Sequence, residues 1–222
     1  MIIGKFVAVS VIAYLLGAIP FGMIVSRLMG GIDISKHGSG NIGGTNVYRT
    51  LGTKAGAIVI VLDLAKAIVA VLLAKFIVGT TDVLVVAGIV NMDWHWAQVL
   101  AALMVMVGHN WSVYIKFRGG KGVATYFGAW FAMYWPAALV GGIILILTVL
   151  RSRYMSLASL LAAAGILCLF IILTVFHSWP PIYLVYSFIA AGLIFYQHRA
   201  NINRLQSGTE SRLNVPPMKS DS

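Results

Sequence analysis

The chain is 222 residues long, 60% hydrophobic and only 10% charged, with a mean hydropathy of +0.92. Soluble domains run at about 45–50% apolar residues, so a soluble core is excluded and the membrane is the expected environment, with residues 1–222 as a single integral membrane domain. The formal charge of +10 would point to nucleic acid in a soluble protein; in a membrane chain it reports orientation, and no nucleic-acid partner is expected.

The first apolar stretch, Ile2 to Met29, is too long for a signal-peptide core and has no small-x-small cleavage site after it, so it reads as a retained span. A polar segment follows at residues 33–52 (DISKHGSGNIGGTNVYRTLG). The second apolar stretch, Ala55 to Val78, contains Asp63 and Lys66. Their i, i+3 spacing puts them on one helix face, where a structural ion pair is expected rather than a proton relay. The third stretch, Trp94 to Val107, leads into a second polar segment at 108–125 (GHNWSVYIKFRGGKGVAT).

The fourth stretch, Val123 to Leu150, is either one long span or two short ones hinged at Tyr134-Trp135-Pro136, since proline breaks a helix interior. Charge decides between them. As a hairpin it puts Arg27, Lys36, Arg49, Lys54, Lys116, Arg118, Lys121, Arg151, Arg153, Arg199, Arg204, Arg212 and Lys219 on one side, 13 of the 16 basic residues. With Met155 to Phe176 and Pro181 to Tyr196 the positive-inside rule then selects seven transmembrane helices, N-terminus outside and C-terminus cytoplasmic. The outer loops Gly79 to Asp93 and His177 to Pro180 carry no Lys or Arg. Cys168, with no partner in the chain, reads as packing. His95, His177 and the tryptophans near span ends read as interfacial anchors.

The last polar segment is 197–213 (QHRANINRLQSGTESRL). All three segments fall on the cytoplasmic side, and each mixes glycine with Ser, Thr, Asn, His and a cation. Glycine permits turns that aim successive backbone N–H groups at an anion, so together they read as a phosphate-binding site. Gly38-Ser-Gly-Asn-Ile-Gly43 fits the dinucleotide fingerprint by letter, with Asp63 placed 20 residues on, but no strand precedes it and Asp63 lies in an apolar helix. Gly119-Gly-Lys-Gly122 lacks the Ser or Thr of a nucleotide-binding P-loop. His37, His109 and His198 lie in separate segments without carboxylate or thiolate companions, so no metal is expected. A metabolite transporter with re-entrant gates is the main competing class. It predicts inverted repeats, and none is evident between the halves.

In order and spacing the three segments resemble the signature motifs of the bacterial acyl-phosphate:glycerol-3-phosphate acyltransferase family (PlsY type). The likeness takes in Leu16-Gly-Ala-Ile-Pro-Phe-Gly22, then Ser39-Gly-Asn-Ile-Gly-Gly-Thr-Asn46 followed by Arg49 and Gly52. It continues with Gly108-His109, Gly119-Gly-Lys-Gly-Val-Ala-Thr125, and His198-Arg199, Asn201-Ile202, Arg204-Leu205, Gly208 and Glu210. Departures are Gly44 for alanine, Ser112 for proline, Arg118 for lysine, and Ala200 and Asn203 for charged residues.

The resemblance implies transfer of a fatty acyl group from acyl phosphate to the 1-hydroxyl of glycerol 3-phosphate, in the bacterial plasma membrane, without cofactor. Its partners would be those two substrates and membrane lipid, with the oligomeric state open and a monomer allowed. By the same resemblance Ser39, Arg49, Lys121, His198 and Asn201 are the expected catalytic set. Arg49, with Ser39 and Asn46, would polarise the carbonyl and hold one phosphate, and Lys121 with the glycine backbone would hold the other. His198 and Asn201 would orient the attacking hydroxyl. Gly40, Asn41, Gly43, Thr45, Asn46, His109, Gly119, Gly120, Gly122, Thr125 and Arg204 are expected to line the phosphate sites, with Glu210 pairing a neighbouring arginine to shape the loop. Ser39 is expected to hydrogen-bond phosphate rather than act as a nucleophile.

Overall fold

The computed structural model describes residues 2–80, 82–86, 90–177 and 179–213. Lys219, counted above with the basic residues, and the middle of the loop after Val78 lie outside the described residues. The first apolar stretch is not one rod: it breaks at Ile19-Pro20 into α1 (Ile2–Ala18) and α2 (Phe21–Gly30), because proline has no N–H to continue the ladder. Gly31, at φ 64°, closes α2 in the left-handed conformation.

The first polar segment holds a short helix, α3 (Gly44–Leu51), joined to α4 (Thr53–Val78) through Gly52 at φ 87°. Against the all-helical expectation, β1 (Leu84–Val86) pairs antiparallel with β2 (Val90–Met92) in the loop that follows. The β-branched side chain of valine favours strands once the chain leaves the helical spans. Helix α5 (Trp94–Asn110) starts at Asp93, whose carboxylate accepts the His95 N–H at 2.9 Å, and it draws Gly108 and His109 into its last turn. Then come α6 (Val123–Ser152), α7 (Met155–His177), α8 (Pro181–Gln197), which opens on proline, and α9 (Arg199–Gln206) in the third polar segment.

By length and composition four helical stretches suffice to cross a membrane among the described residues: Ile2–Gly30, Thr53–Val78, Val123–Ser152 and Met155–His177. Helices α1 and α5 approach backbone to backbone, since a Cβ on Gly17 would overlap the Val105 carbonyl and one on Gly108 the Tyr14 carbonyl. Small residues serve this purpose where van der Waals packing must hold helices together in lipid. An aromatic core joins α6, α7 and α8, with Trp130 stacked on Phe170 at 4.3 Å and set edge-on to Tyr186 at 4.9 Å.

Helix α6 is folded on itself. Tyr134 has the non-helical φ/ψ of −157°/87°, two residues before Pro136, and a Cβ on Gly141 would lie 3.1 Å from the Phe127 ring. In a straight helix those two positions would stand about 21 Å apart. The two arms therefore run back along each other, which returns Arg153 to the side where Gly122 begins the helix.

Candidate active site

One cavity of about 1320 Å³ is lined by residues of all three polar segments. It takes in Ser39, Gly40, Asn41, Gly43, Thr45, Asn46 and Arg49 from the first, His109, Gly119, Lys121 and Gly122 from the second, and His198, Asn201, Arg204 and Glu210 from the third, with Asp63 of α4. Of the expected site residues, Gly120, Thr125 and Lys66 stand outside the lining.

In the first segment Asn46 is the organiser. Its amide donates to the carbonyls of Asn41 (2.8 Å) and His37 (3.0 Å) while its Oδ1 accepts the Ser39 N–H at 2.9 Å. The side chain is thus engaged in shaping the loop and buried, where a phosphate-facing role was expected. Gly38 and Gly40, at φ 57° and 70°, make the turns that side chains resist. Asn41 accepts the Gly43 N–H at 2.8 Å and reaches toward the Gly119 carbonyl at 3.5 Å, linking the first two segments. Gly22 lets α2 lie against this loop, as a Cβ there would overlap the Ile42 carbonyl. Gly44 stands under Ile60, whose Cγ1 would be 2.5 Å from an added Cβ, so an alanine here would have to displace Ile60. Arg49 projects from α3 into the cavity and donates to the Ser211 carbonyl at 3.0 Å.

The glycines of the second segment are packed on His109. Gly120 donates to the His109 carbonyl at 3.0 Å, and a Cβ on Gly120 would overlap His109 Nε2. His109 itself is buried beside Lys66 (Nδ1 to Nζ, 3.1 Å) and Asp63 (Nδ1 to Oδ1, 3.5 Å), where a phosphate-facing role was expected. Thr125 differs too: its buried hydroxyl donates to the Gly122 carbonyl at 2.9 Å, at the first turn of α6. Arg118 lies outside the cavity lining, with its carbonyl accepting the Ser112 N–H at 3.2 Å. Ser112 donates from Oγ to the Ala18 carbonyl at 2.5 Å, one of those left open by the break at Pro20.

Lys121 reaches across and donates to Asn201 Oδ1 of α9. Burial, with Arg204 and Arg49 nearby, outweighs the attraction of Glu210 and brings its ammonium down to about 8. Asn201 in turn donates to Glu210 Oε1 at 2.7 Å, as does Ser156, and Arg204 Nε donates to Oε2 at 2.7 Å. Burial would raise the Glu210 carboxyl, but these hydrogen bonds hold it below its ordinary value. His198 caps α8 with Nδ1 2.8 Å from the Ile194 carbonyl, so Nδ1 carries the proton and Nε2 is left as an acceptor. Burial and the Lys121 charge push the imidazole down to about 4, leaving it neutral near pH 7.

Beyond this polar end the cavity continues as an apolar arm between α4 and the two arms of α6, lined by Ile60, Leu64, Phe127, Phe131, Leu139 and Ile143 among others. Phe131, Leu139, Ile143 and Ile146 are also exposed on the outer surface, so the arm opens sideways. Sequence reasoning missed Ser156, Ser211, Arg212 and this arm. One signal was available for Ser156: with Ser159 it forms an i, i+3 pair at the start of an apolar helix, both in the lining. Among the described residues no three His, Cys, Asp or Glu side chains gather in one place.

A family model described as glycerol-3-phosphate acyltransferase matches residues 7–208. Glycerol-3-phosphate acyltransferase 3 of Dehalococcoides mccartyi is 44% identical over 214 residues, 96% of this chain and 98% of its own length. Glycerol-3-phosphate acyltransferase 2 of Moorella thermoacetica is 43% identical over 203 residues, covering 91% and 95%. Crystal structures of PlsY, an integral membrane glycerol 3-phosphate acyltransferase, align with TM-scores of 0.81 for its glycerol 3-phosphate form and 0.80 for its lysophosphatidic acid form. Each is 35% identical and covers 94% of this chain and 95% of the other. The chain is a multi-pass membrane protein and belongs to the glycerol-3-phosphate acyltransferase family.

Proposed function

We propose that this protein transfers a fatty acyl group from acyl phosphate to the 1-hydroxyl of sn-glycerol 3-phosphate, giving lysophosphatidic acid and inorganic phosphate for phospholipid synthesis. The cavity carries this reading, because a cation-rich polar end continues directly into an apolar arm. Two phosphates near neutral pH bring about −1.5 to −2 charges each. Arg49, Lys121, Arg204 and Arg212 line the polar end against the single carboxylate of Glu210, a net of three positive charges once Asp63 is set against Lys66. That is of the size needed to hold two such anions side by side.

Acyl phosphate is a mixed anhydride and already activated, so positioning and charge neutralisation supply the catalysis without a cofactor. The glycerol oxygen attacks the acyl carbon, the bond from that carbon to the phosphate oxygen breaks, and the hydroxyl proton ends on the departing phosphate. Arg49, with Ser39, stabilises the acyl phosphate and its carbonyl oxygen. Lys121 and the glycine backbone at 119–122 hold glycerol 3-phosphate. His198 Nε2 accepts from the attacking hydroxyl and so aims its oxygen. With its conjugate acid near 4, the imidazole is a weaker base than the phosphate it faces, so its part is orientation. Ser39 binds without forming an acyl-enzyme, and a trapped acyl-serine would refute that.

In the membrane the single domain has seven crossings. Each arm of α6 crosses once, the N-terminus is outside, and the polar end of the cavity opens to the cytoplasm of the bacterial cell. The grouping of basic residues supports this orientation. The test is purified protein given a long-chain acyl phosphate and glycerol 3-phosphate, with release of inorganic phosphate followed. Acyl-CoA and acyl carrier protein thioesters are run beside it. Turnover with acyl phosphate alone is expected, and turnover only with a thioester overturns the donor assignment.

A further inference from the structure

Asp63, Lys66 and His109 form a closed group of buried polar side chains beside the cavity. Lys66 Nζ lies 2.8 Å from Asp63 Oδ1 and 3.1 Å from His109 Nδ1, and it donates to the Ile19 carbonyl at 2.9 Å. Asp63 and Lys66 stand one turn apart on α4 and neutralise each other, so ionic pairing needs no third partner. The histidine comes from α5, and what it adds lies on its other side.

There the imidazole meets the glycine loop. Nε2 faces Gly120 so closely that a Cβ would overlap it, and the His109 carbonyl is where a Cβ on Gly119 would fall. Nδ1 is thereby held by the α4 pair, and Nε2 stands against the loop. Lys121 is the next residue after these two glycines. Lys66 also secures the break after α1 through Ile19, so one ammonium ties α1, α4 and α5 to the surface on which the loop rests.

We propose that Asp63 and Lys66 are positioning residues for glycerol 3-phosphate. They fix the His109 ring as the floor beneath Gly119 and Gly120, and that floor sets where the Lys121 ammonium stands in the cavity. The inference rests on the acyl-transfer reading above. It assigns the motif histidine a part in placing the lysine rather than in touching phosphate.

Gly120→Ala tests it in the full chain. Gly120 is not among the glycines held at positive φ, unlike Gly122, and the three atoms nearest an added methyl all belong to the His109 ring. Misplacement by about 1 Å costs about 10²-fold in well-oriented reactions. We therefore expect KM for glycerol 3-phosphate to rise by about 10-fold to 10²-fold, with KM for acyl phosphate and the detergent melting temperature little changed. His109→Ala in the same chain makes room for the new methyl, so the double variant should be less impaired than the product of the two single effects. Asp63→Asn with Lys66→Met removes the pair without leaving a lone buried charge, and should raise KM for glycerol 3-phosphate selectively.

Independent multiplication of the Gly120 and His109 effects, or equal losses for both substrates, overturns the inference. So does a folded Asp63→Asn/Lys66→Met protein with wild-type KM values. The Gly120 and His109 cycle tests the floor itself, and if the Asp63→Asn/Lys66→Met protein does not fold, Asp63→Asn/Lys66→Gln, a neutral pair that keeps polar groups beside the ring, is measured in its place with the same criterion. Wild-type protein inactive with acyl phosphate defeats the functional reading, and the inference falls with it. Active wild-type protein with an unaffected Gly120→Ala defeats the inference alone.

Discussion

The Leu213 amide donates to the Arg153 carbonyl at 2.7 Å, tying the strap that follows α9 to the turn between α6 and α7. Leu213 is buried, Arg49 holds the Ser211 carbonyl at 3.0 Å, and Arg212 bonds the Tyr154 hydroxyl at 3.1 Å. The strap thus closes one side of the polar end. Leu213→Ala should destabilise the protein by about 2 kcal/mol, the low end for a buried leucine because the site lies at an edge. A detergent melting curve measures it, and an unchanged midpoint would show that the strap is held without this side chain.

Glu210 accepts from three donors on α7 and α9, which Gln cannot match because half of its amide donates. Glu210→Gln should lower the melting temperature and raise KM more than it lowers kcat. A normal melting temperature with turnover abolished contradicts this. The carboxyl is held below its ordinary value of 4.5, so its contribution to stability is complete above that value and is lost as pH falls below it. Wild-type protein should therefore lose melting temperature as pH falls below 4.5 by a component that Glu210→Gln lacks.

Lys121, brought down to about 8, is part-neutral in mildly alkaline solution. Bound phosphate favours the charged form, so kcat/KM for glycerol 3-phosphate should fall as pH rises through 8 while kcat holds to higher pH. Lys121→Ala should cost about 10² or more in rate. Initial-rate profiles for the free and saturated enzyme check the first statement, and near-normal kinetics in the alanine variant remove Lys121 from the site.

His198 should leave no inflection of its own near pH 6.5. The acid limb near pH 6 belongs to the substrate's second phosphate ionisation, at about 6. His198→Gln should lower turnover yet keep that limb in place. A shift or disappearance of the limb would restore the imidazole as the base.

Gly142 lines the apolar arm with nothing within 4 Å of the position a Cβ would take. Leucine there fills the space of two or three methylenes, each worth about 0.8 kcal/mol when buried. KM for a long-chain acyl phosphate should rise by about 15-fold to 60-fold, while a four-carbon acyl phosphate is unaffected. Equal effects on both chain lengths would place the chain elsewhere.

The three glycine segments were legible because each carries its chemistry locally, as glycines beside amides and cations. The fold-back of α6 was legible from charge, since Arg151 and Arg153 would otherwise be parted from Lys116 and Lys121, and Pro136 supplies the break. Partners distant along the chain were not legible. Asn46 looks like a ligand until the His37 and Asn41 carbonyls curl round it, and His109 looks like a phosphate contact until α4 brings Asp63 and Lys66 against it. Ser156 meets Glu210 across 54 residues. The kink at Pro20 was hidden by an apolar run that continues through it, and the β ribbon by a loop read only for charge.

Under the proposed transfer from acyl phosphate, the sideways opening between the arms of α6 changes how the protein meets its donor. An acyl phosphate dissolved among lipid tails approaches by diffusion in two dimensions, and its concentration is a mole fraction of the leaflet rather than a molarity. Glycerol 3-phosphate arrives from water in three. Turnover is therefore governed by two separate reservoirs, and dilution of the bilayer with inert phospholipid acts on only one of them.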